Sequence, residues 1–68
     1  WKNKSYIPQT GDIIFFDWNG DSHVQHVGIV EKVENGKVYT IEGNSKDEVR
    51  NKNYSLTNKS IYGYGSVN

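Results

Sequence analysis

The apolar residues of this chain are almost all of one kind. Seven are Val, six Ile, five Tyr, two Phe and two Trp, against a single Leu and no Ala or Met. β-Branched and aromatic side chains lose rotamer freedom in a helix but pack well on a pleated surface. A helix here would lack its best formers. The sequence therefore predicts an all-β chain.

At 68 residues, the chain is one segment: a small domain or a part of a larger one. A domain this short buries only ~60% of the surface that its unfolded chain exposes. With no cysteine there is no disulfide to staple it, no thiolate metal ligand and no thiol nucleophile. Eight basic and eight acidic side chains give a formal net charge of zero. That argues against nucleic acid or an anionic membrane as partner, since both are recognised largely by charge. The longest apolar run is Ile13 to Phe16, far short of the ~20 residues that cross a bilayer. No basic-then-apolar leader is visible, which puts any export signal outside this segment.

Turn chemistry divides the chain. Trp1 to Thr10 is polar and mixed and reads as an incoming loop. Ile13 to Trp18 is a continuous apolar run, as in a strand covered on both faces. Asn19-Gly20-Asp21-Ser22 is a turn. Val24 to Val33 and Lys37 to Asn44 flank Glu34-Asn35-Gly36, a hairpin signal. Weaker strands follow at Val49 to Leu56 and Ser60 to Gly65. Five strands joined by short connections predict an antiparallel meander.

The hairpin register decides which residues share a face. A two-residue turn at Asn35-Gly36 would pair Glu34 with Lys37, so that opposed residue numbers sum to 71. A three-residue loop closed by Gly36 would pair Val33 with Lys37, a sum of 70. The second keeps Val27, Ile29, Val33, Tyr39 and Ile41 together as an apolar stripe for a core, whereas the first splits them. It is the register expected here.

Under that register the opposite face carries His26, Gly28, Val30, Thr40, Glu42 and Asn44. Glu42 lies across from Gly28, which leaves space above it, and is diagonal to His26 at roughly 7 Å between backbone positions. An imidazole serves as general base near neutral pH, and a carboxylate or amide that accepts from one ring nitrogen fixes its tautomer. These are the base and orienting residue of a nucleophilic triad. The competing reading is a surface histidine at a strand start beside ordinary turn-flanking polar residues.

Four segments in order carry a family likeness: Ile7-Pro8-Gln9-Thr10-Gly11-Asp12-Ile13-Ile14-Phe15-Phe16, His26-Val27-Gly28-Ile29-Val30, Tyr39-Thr40-Ile41-Glu42-Gly43-Asn44-Ser45 and Ile61-Tyr62-Gly63-Tyr64-Gly65. Together they resemble the CHAP family, cysteine- and histidine-dependent amidohydrolases and peptidases of papain-like fold that mostly cut peptidoglycan. The resemblance implies that His26 is the catalytic base, that Glu42 orients its imidazole and that Asn44 completes the site. Gln25 departs from the acidic residue often found before that histidine. The family's nucleophilic cysteine, at the start of a helix ahead of the Pro-x-x-Gly-Asp segment, has no counterpart here. Ser5, Ser22 and Ser45 do not replace it, since nothing places them at a helix N-terminus beside His26.

The resemblance thus implies the C-terminal β-half of a cell-wall amidase or endopeptidase domain, inactive alone. Its partners would be a peptide stem or cross-bridge of peptidoglycan and its own missing N-terminal half, and its location extracellular or at the cell wall, bacterial or phage-derived. No cofactor is implied, and self-association of an uncovered sheet face is left open. The alternative is a non-catalytic SH3-like β-barrel that binds cell wall through Tyr62 and Tyr64, which alternation places on one face. Asp17-Trp18-Asn19-Gly20-Asp21 has oxygens at alternate positions but lacks the closing glutamate of a calcium loop, so a tight turn is expected. His23 and His26 are three apart with no further ligands, which does not make a zinc site.

Overall fold

The computed structural model describes residues 2–3, 5–43 and 49–66. These form one open antiparallel sheet of six strands: β1 (Lys2–Asn3), β2 (Ile13–Phe16), β3 (His26–Glu34), β4 (Lys37–Gly43), β5 (Val49–Ser55) and β6 (Ile61–Gly65). The all-β expectation holds, and the five expected strands are all present within a residue or two of their expected bounds. The extra strand, β1, lies in what the sequence presents as a polar loop.

The strand order is β1-β6-β2-β3-β4-β5, so the chain is not a simple meander. β2 to β5 follow one another, but β6 returns to the far side of β2. Laid flat, β5 and β6 would stand about four strand spacings apart, ~19 Å. The link between them holds two consecutive tight turns, with Asn58 N–H donating to the Ser55 carbonyl at 2.9 Å and Ile61 N–H to the Asn58 carbonyl at 3.2 Å. A link so compact cannot cross a flat sheet, and the sheet therefore curls. Its concave face holds the core: Ile14, Phe16, Val30, Val38, Ile61 and Tyr64, all at most 1% exposed.

The β3–β4 hairpin corrects the expected turn. Asn35 (φ 54°) and Gly36 (φ 75°) are both left-handed, which makes a two-residue type I′ turn. Glu34 pairs with Lys37, Val33 with Val38 and Lys32 with Tyr39, a sum of 71. Beyond Glu31 the pairs are Val30 with Thr40 and Ile29 with Ile41, a sum of 70. Glu31 is the extra residue of a β-bulge, and it restores at the far end of the hairpin the register the apolar pattern demands. The bulge is stitched from outside the hairpin: the Thr10 hydroxyl donates to the Glu31 carbonyl at 2.8 Å, and Gly11 and Asp12 exchange backbone hydrogen bonds with Val30 at 2.9 and 2.8 Å.

The faces are also the reverse of expectation. Val27, Ile29 and Ile41, assigned to a core stripe, are 48%, 52% and 36% exposed on the convex face. Val33, shifted by the bulge, packs instead against the core. The face carrying His26 and Glu42 is the concave one, so the sheet's interior is where the polar candidates lie. β2 alternates between exposed and buried rather than being covered on both faces. A second irregularity, where Phe16 pairs with Ile61 but Phe15 with Gly63, separates the two tyrosines of β6. Tyr64 is fully buried and Tyr62 is 39% exposed, so they do not share a face.

Candidate functional site

His26 opens β3 and Glu42 lies near the end of β4, so the site forms at one end of the curled sheet. His26 Nε2 and Glu42 Oε1 are 2.6 Å apart. The Glu42 side chain is 3% exposed and that of His26 27%, which places a buried carboxylate behind a half-buried imidazole. Gly28 makes this possible, because it holds open the space that the Glu42 stem occupies.

The carboxylate is fixed from its other side. Thr40, two residues earlier on the same face of β4, donates its hydroxyl to Oε2 at 2.6 Å. Tyr54 of β5 donates its phenol to the same oxygen at 2.8 Å. Burial alone would push the Glu42 carboxyl up. The hydrogen bonds from Thr40, Tyr54 and His26, with the charge of His26, outweigh burial and hold Glu42 below the usual carboxylate range. Tyr54 moves the other way: burial, then its hydrogen bond to the Glu42 charge, raises the phenol far above its ordinary value. It is a donor at any ordinary pH.

An ionised Glu42 accepts, so the proton on the facing nitrogen is Nε2–H and the lone pair of a neutral ring is on Nδ1. Nδ1 has no hydrogen-bond partner among the described residues. An aromatic wall limits where the ring can turn. Phe16 and Trp18 stack with centroids 4.7 Å apart, and lie 5.8 and 6.2 Å from the imidazole. The outcome is an imidazole with a set tautomer and a set orientation, whose Nδ1 is unengaged among the described residues.

Of the three residues that the sequence nominates, the structure brings His26 and Glu42 together, and Asn44 lies outside the described residues. Thr40 was legible as a neighbour on that face but not as a donor to Glu42. Tyr54 was not legible at all, since its place depends on the pairing of Val38 with Tyr54 across β4 and β5. The Asp17 loop behaves as a turn: its carboxylate accepts from the backbone N–H of Gly20, Asp21 and Ser22 at 2.9, 3.3 and 2.7 Å. Burial opposes ionisation there, but these donors prevail and lower the Asp17 carboxyl. No group of three or more metal-ligating side chains occurs among the described residues. No described helix is long and apolar enough to cross a membrane.

The structure is thus a curled antiparallel sheet with a histidine–carboxylate pair at one end. Residues 1–44 match the family model of the CHAP domain. The chain belongs to the CHAP domain family, and so to a class of domains related to peptidoglycan hydrolysis. The match ends at Asn44, so the Ile61–Gly65 motif falls outside it. Neither a curated protein nor a solved structure matches the chain.

Proposed function

We propose that this chain is the β-half of a cysteine-dependent peptidoglycan amidase or endopeptidase domain, and that it contributes the base and its orienting residue. The observation that carries this reading is the 2.6 Å contact between His26 Nε2 and a buried, three-donor Glu42. A carboxylate held ionised against an imidazole costs stability to bury, and what it supplies in return is a base in one tautomer. The sequence has no cysteine, so the nucleophile would come from a segment outside these residues.

In the complete site, His26 Nδ1 takes the thiol proton as sulfur attacks the amide carbonyl of a wall peptide. The ring then protonates the departing amine, leaving a thioester. Water, deprotonated by the same nitrogen, releases the carboxylate and regenerates the thiol. Glu42 stabilises the imidazolium present between these steps without itself being protonated, which its lowered pKa favours. Asn44 completes the site, and the protein acts outside the cell or in the wall.

Clearing of purified peptidoglycan suspensions tests the reading. The 68-residue chain by itself is expected to be inert. The larger protein that carries it should be active and should lose activity on His26→Ala. Hydrolysis by the isolated chain, or undiminished activity of the larger protein with His26→Ala, would overturn it.

A further inference from the structure

Trp18 lies beside His26 and is 46% exposed. Its inner face stacks on the buried ring of Phe16, at 4.7 Å between centroids and 9° between planes. His26 and Tyr54 are 5.8 and 4.8 Å from Phe16 but 6.2 and 6.1 Å from Trp18. The indole is therefore the outermost layer of the aromatic wall, and its other face opens just beyond the imidazole. The turn that carries it is fixed in advance. Asp17 N–H donates to the Ser60 carbonyl at 2.8 Å and Gln25 N–H to the Phe16 carbonyl at 2.9 Å. The Asp17 carboxylate accepts from three backbone N–H groups of the same turn. A flat platform that is already ordered loses little freedom when a ligand lands on it.

The turn around the platform is polar and carries no cation. Asp17 to His26 contains neither Lys nor Arg, and the exposed Asn19 and Asp21 bring amide and carboxylate oxygens beside the indole. An aliphatic side chain would cover the indole and leave those groups unmatched, and an acidic group would meet the like charge of Asp21. A pyranose with equatorial hydroxyls satisfies both parts, with a C–H face for the indole and O–H donors for the oxygens around it.

We infer that Trp18 is a sugar-binding platform of the site, and that the bond it presents to His26 is the amide joining sugar to peptide. Resting on the wall-hydrolysis reading above, this assignment selects the amidase over the endopeptidase. A ring on the outer face stands one contact layer, ~4 Å, beyond the indole. In a muramoyl peptide the carbonyl carbon of the first amide is three bonds from the sugar ring, about 4 Å when extended, and each later amide is ~3.5 Å further along. A sugar held on Trp18 thus returns the first amide to the level of the imidazole and carries the later ones past it.

The test is an NMR titration of the isotopically labelled chain with two probes. One is N-acetylmuramoyl-L-alanyl-D-isoglutamine, and the other is N-acetyl-L-alanyl-D-isoglutamine, which keeps the peptide and lacks the sugar. The muramoyl probe should move the indole N–H resonance of Trp18 and bind about fivefold more tightly, as one stacking contact allows. Trp18→Leu should abolish that preference, with affinity for the sugar-free probe unchanged, and Trp18→Tyr, which retains a flat face, should keep part of it. Equal binding of the two probes by the unsubstituted chain, a preference that survives Trp18→Leu, or no binding of either would each overturn the platform. Peptidoglycan digested by the larger protein gives the second readout, since the released peptides should begin with a free L-alanine amine. Clearing with the cut elsewhere in the peptide would overturn the assignment and leave the proposed function standing. A larger protein inert toward peptidoglycan would overturn the proposed function, and sugar binding at Trp18 would be decided by the titration alone.

Discussion

A Cβ atom on Gly28 would stand 2.8 Å from Cγ of Glu42 and 3.4 Å from the Ile41 carbonyl oxygen. The first distance is shorter than a methyl group tolerates, and Cγ is near the root of the side chain, where little rotation is available to relieve it. The glycine in His26-Val27-Gly28 is thus the negative image of the carboxylate stem. Gly28→Ala should displace Glu42 from His26 and cost about 1–3 kcal/mol through overpacking. Urea unfolding gives the stability change, and the ring resonances of His26 report the lost contact. An alanine variant as stable as the parent, with unmoved His26 resonances, would show that the stem shifts freely.

The lowered pKa of Glu42 makes folding pH-dependent. The folded state binds the proton at Glu42 more weakly than the unfolded chain, whose glutamates titrate near ~4.3. Its stabilising contribution is therefore complete above that value and is lost as pH falls through the lower, folded pKa. Asp17, also lowered, acts in the same direction. Thermal unfolding between pH 6 and pH 2.5 should show falling stability on the acid side. Glu42→Gln should flatten part of that slope and leave the part due to Asp17. An unchanged slope in Glu42→Gln would mean that its carboxyl titrates alike folded and unfolded.

Thr40 and Tyr54 donate to the same oxygen of Glu42, so their removals should not add. Either Tyr54→Phe or Thr40→Val leaves Oε2 one donor, and each should cost about 1–2 kcal/mol, as for a hydrogen bond to a charged group. Removing both leaves a buried anionic oxygen bare. The double variant should lose more than the sum, with a coupling above about 0.5 kcal/mol. Both single variants should also raise the Glu42 pKa and so move acid unfolding to higher pH. A strictly additive cycle would mean that the two hydroxyls act on Glu42 independently.

How far the site was legible in the sequence follows from the distance over which each contact acts. His26 and Glu42 are joined by one hairpin, and its turn residues are written in Asn35-Gly36, so the pair could be found from spacing. The single-residue offset at Glu31 has no local signal, because it is stabilised by Thr10, Gly11 and Asp12 about twenty positions earlier in the chain. The apolar pattern nonetheless requires its effect, so the register beyond the bulge is the expected one although the turn is not. β6 shows the same thing at Tyr62: strict alternation puts it with Tyr64, and one irregularity against β2 puts it on the other face. Tyr54 needed the β4–β5 register and had no signal in its own surroundings.

The reversal of the faces has a different cause, and it yields the last prediction. β3 carries Val27 and Ile29 on one side and Gly28 and Val30 on the other, so period-two alternation identifies two faces without ranking them. The polar members His26, Thr40 and Glu42 tip the balance toward calling their face the outer one. They are inside because they satisfy one another, which a hydrophobicity pattern does not register. Substituting neighbours on opposite faces separates the two assignments. Val30 is 1% exposed and Ile29 52%. Val30→Thr keeps the volume but buries a hydroxyl, and should cost about 1–3 kcal/mol. Ile29→Thr keeps a β-branched residue at an open position, and should change the stability of the monomer by no more than about 0.5 kcal/mol. Urea midpoints of the two variants, measured at low protein concentration, decide the matter. The opposite ranking would restore the convex stripe of Val27, Ile29 and Ile41 as the core.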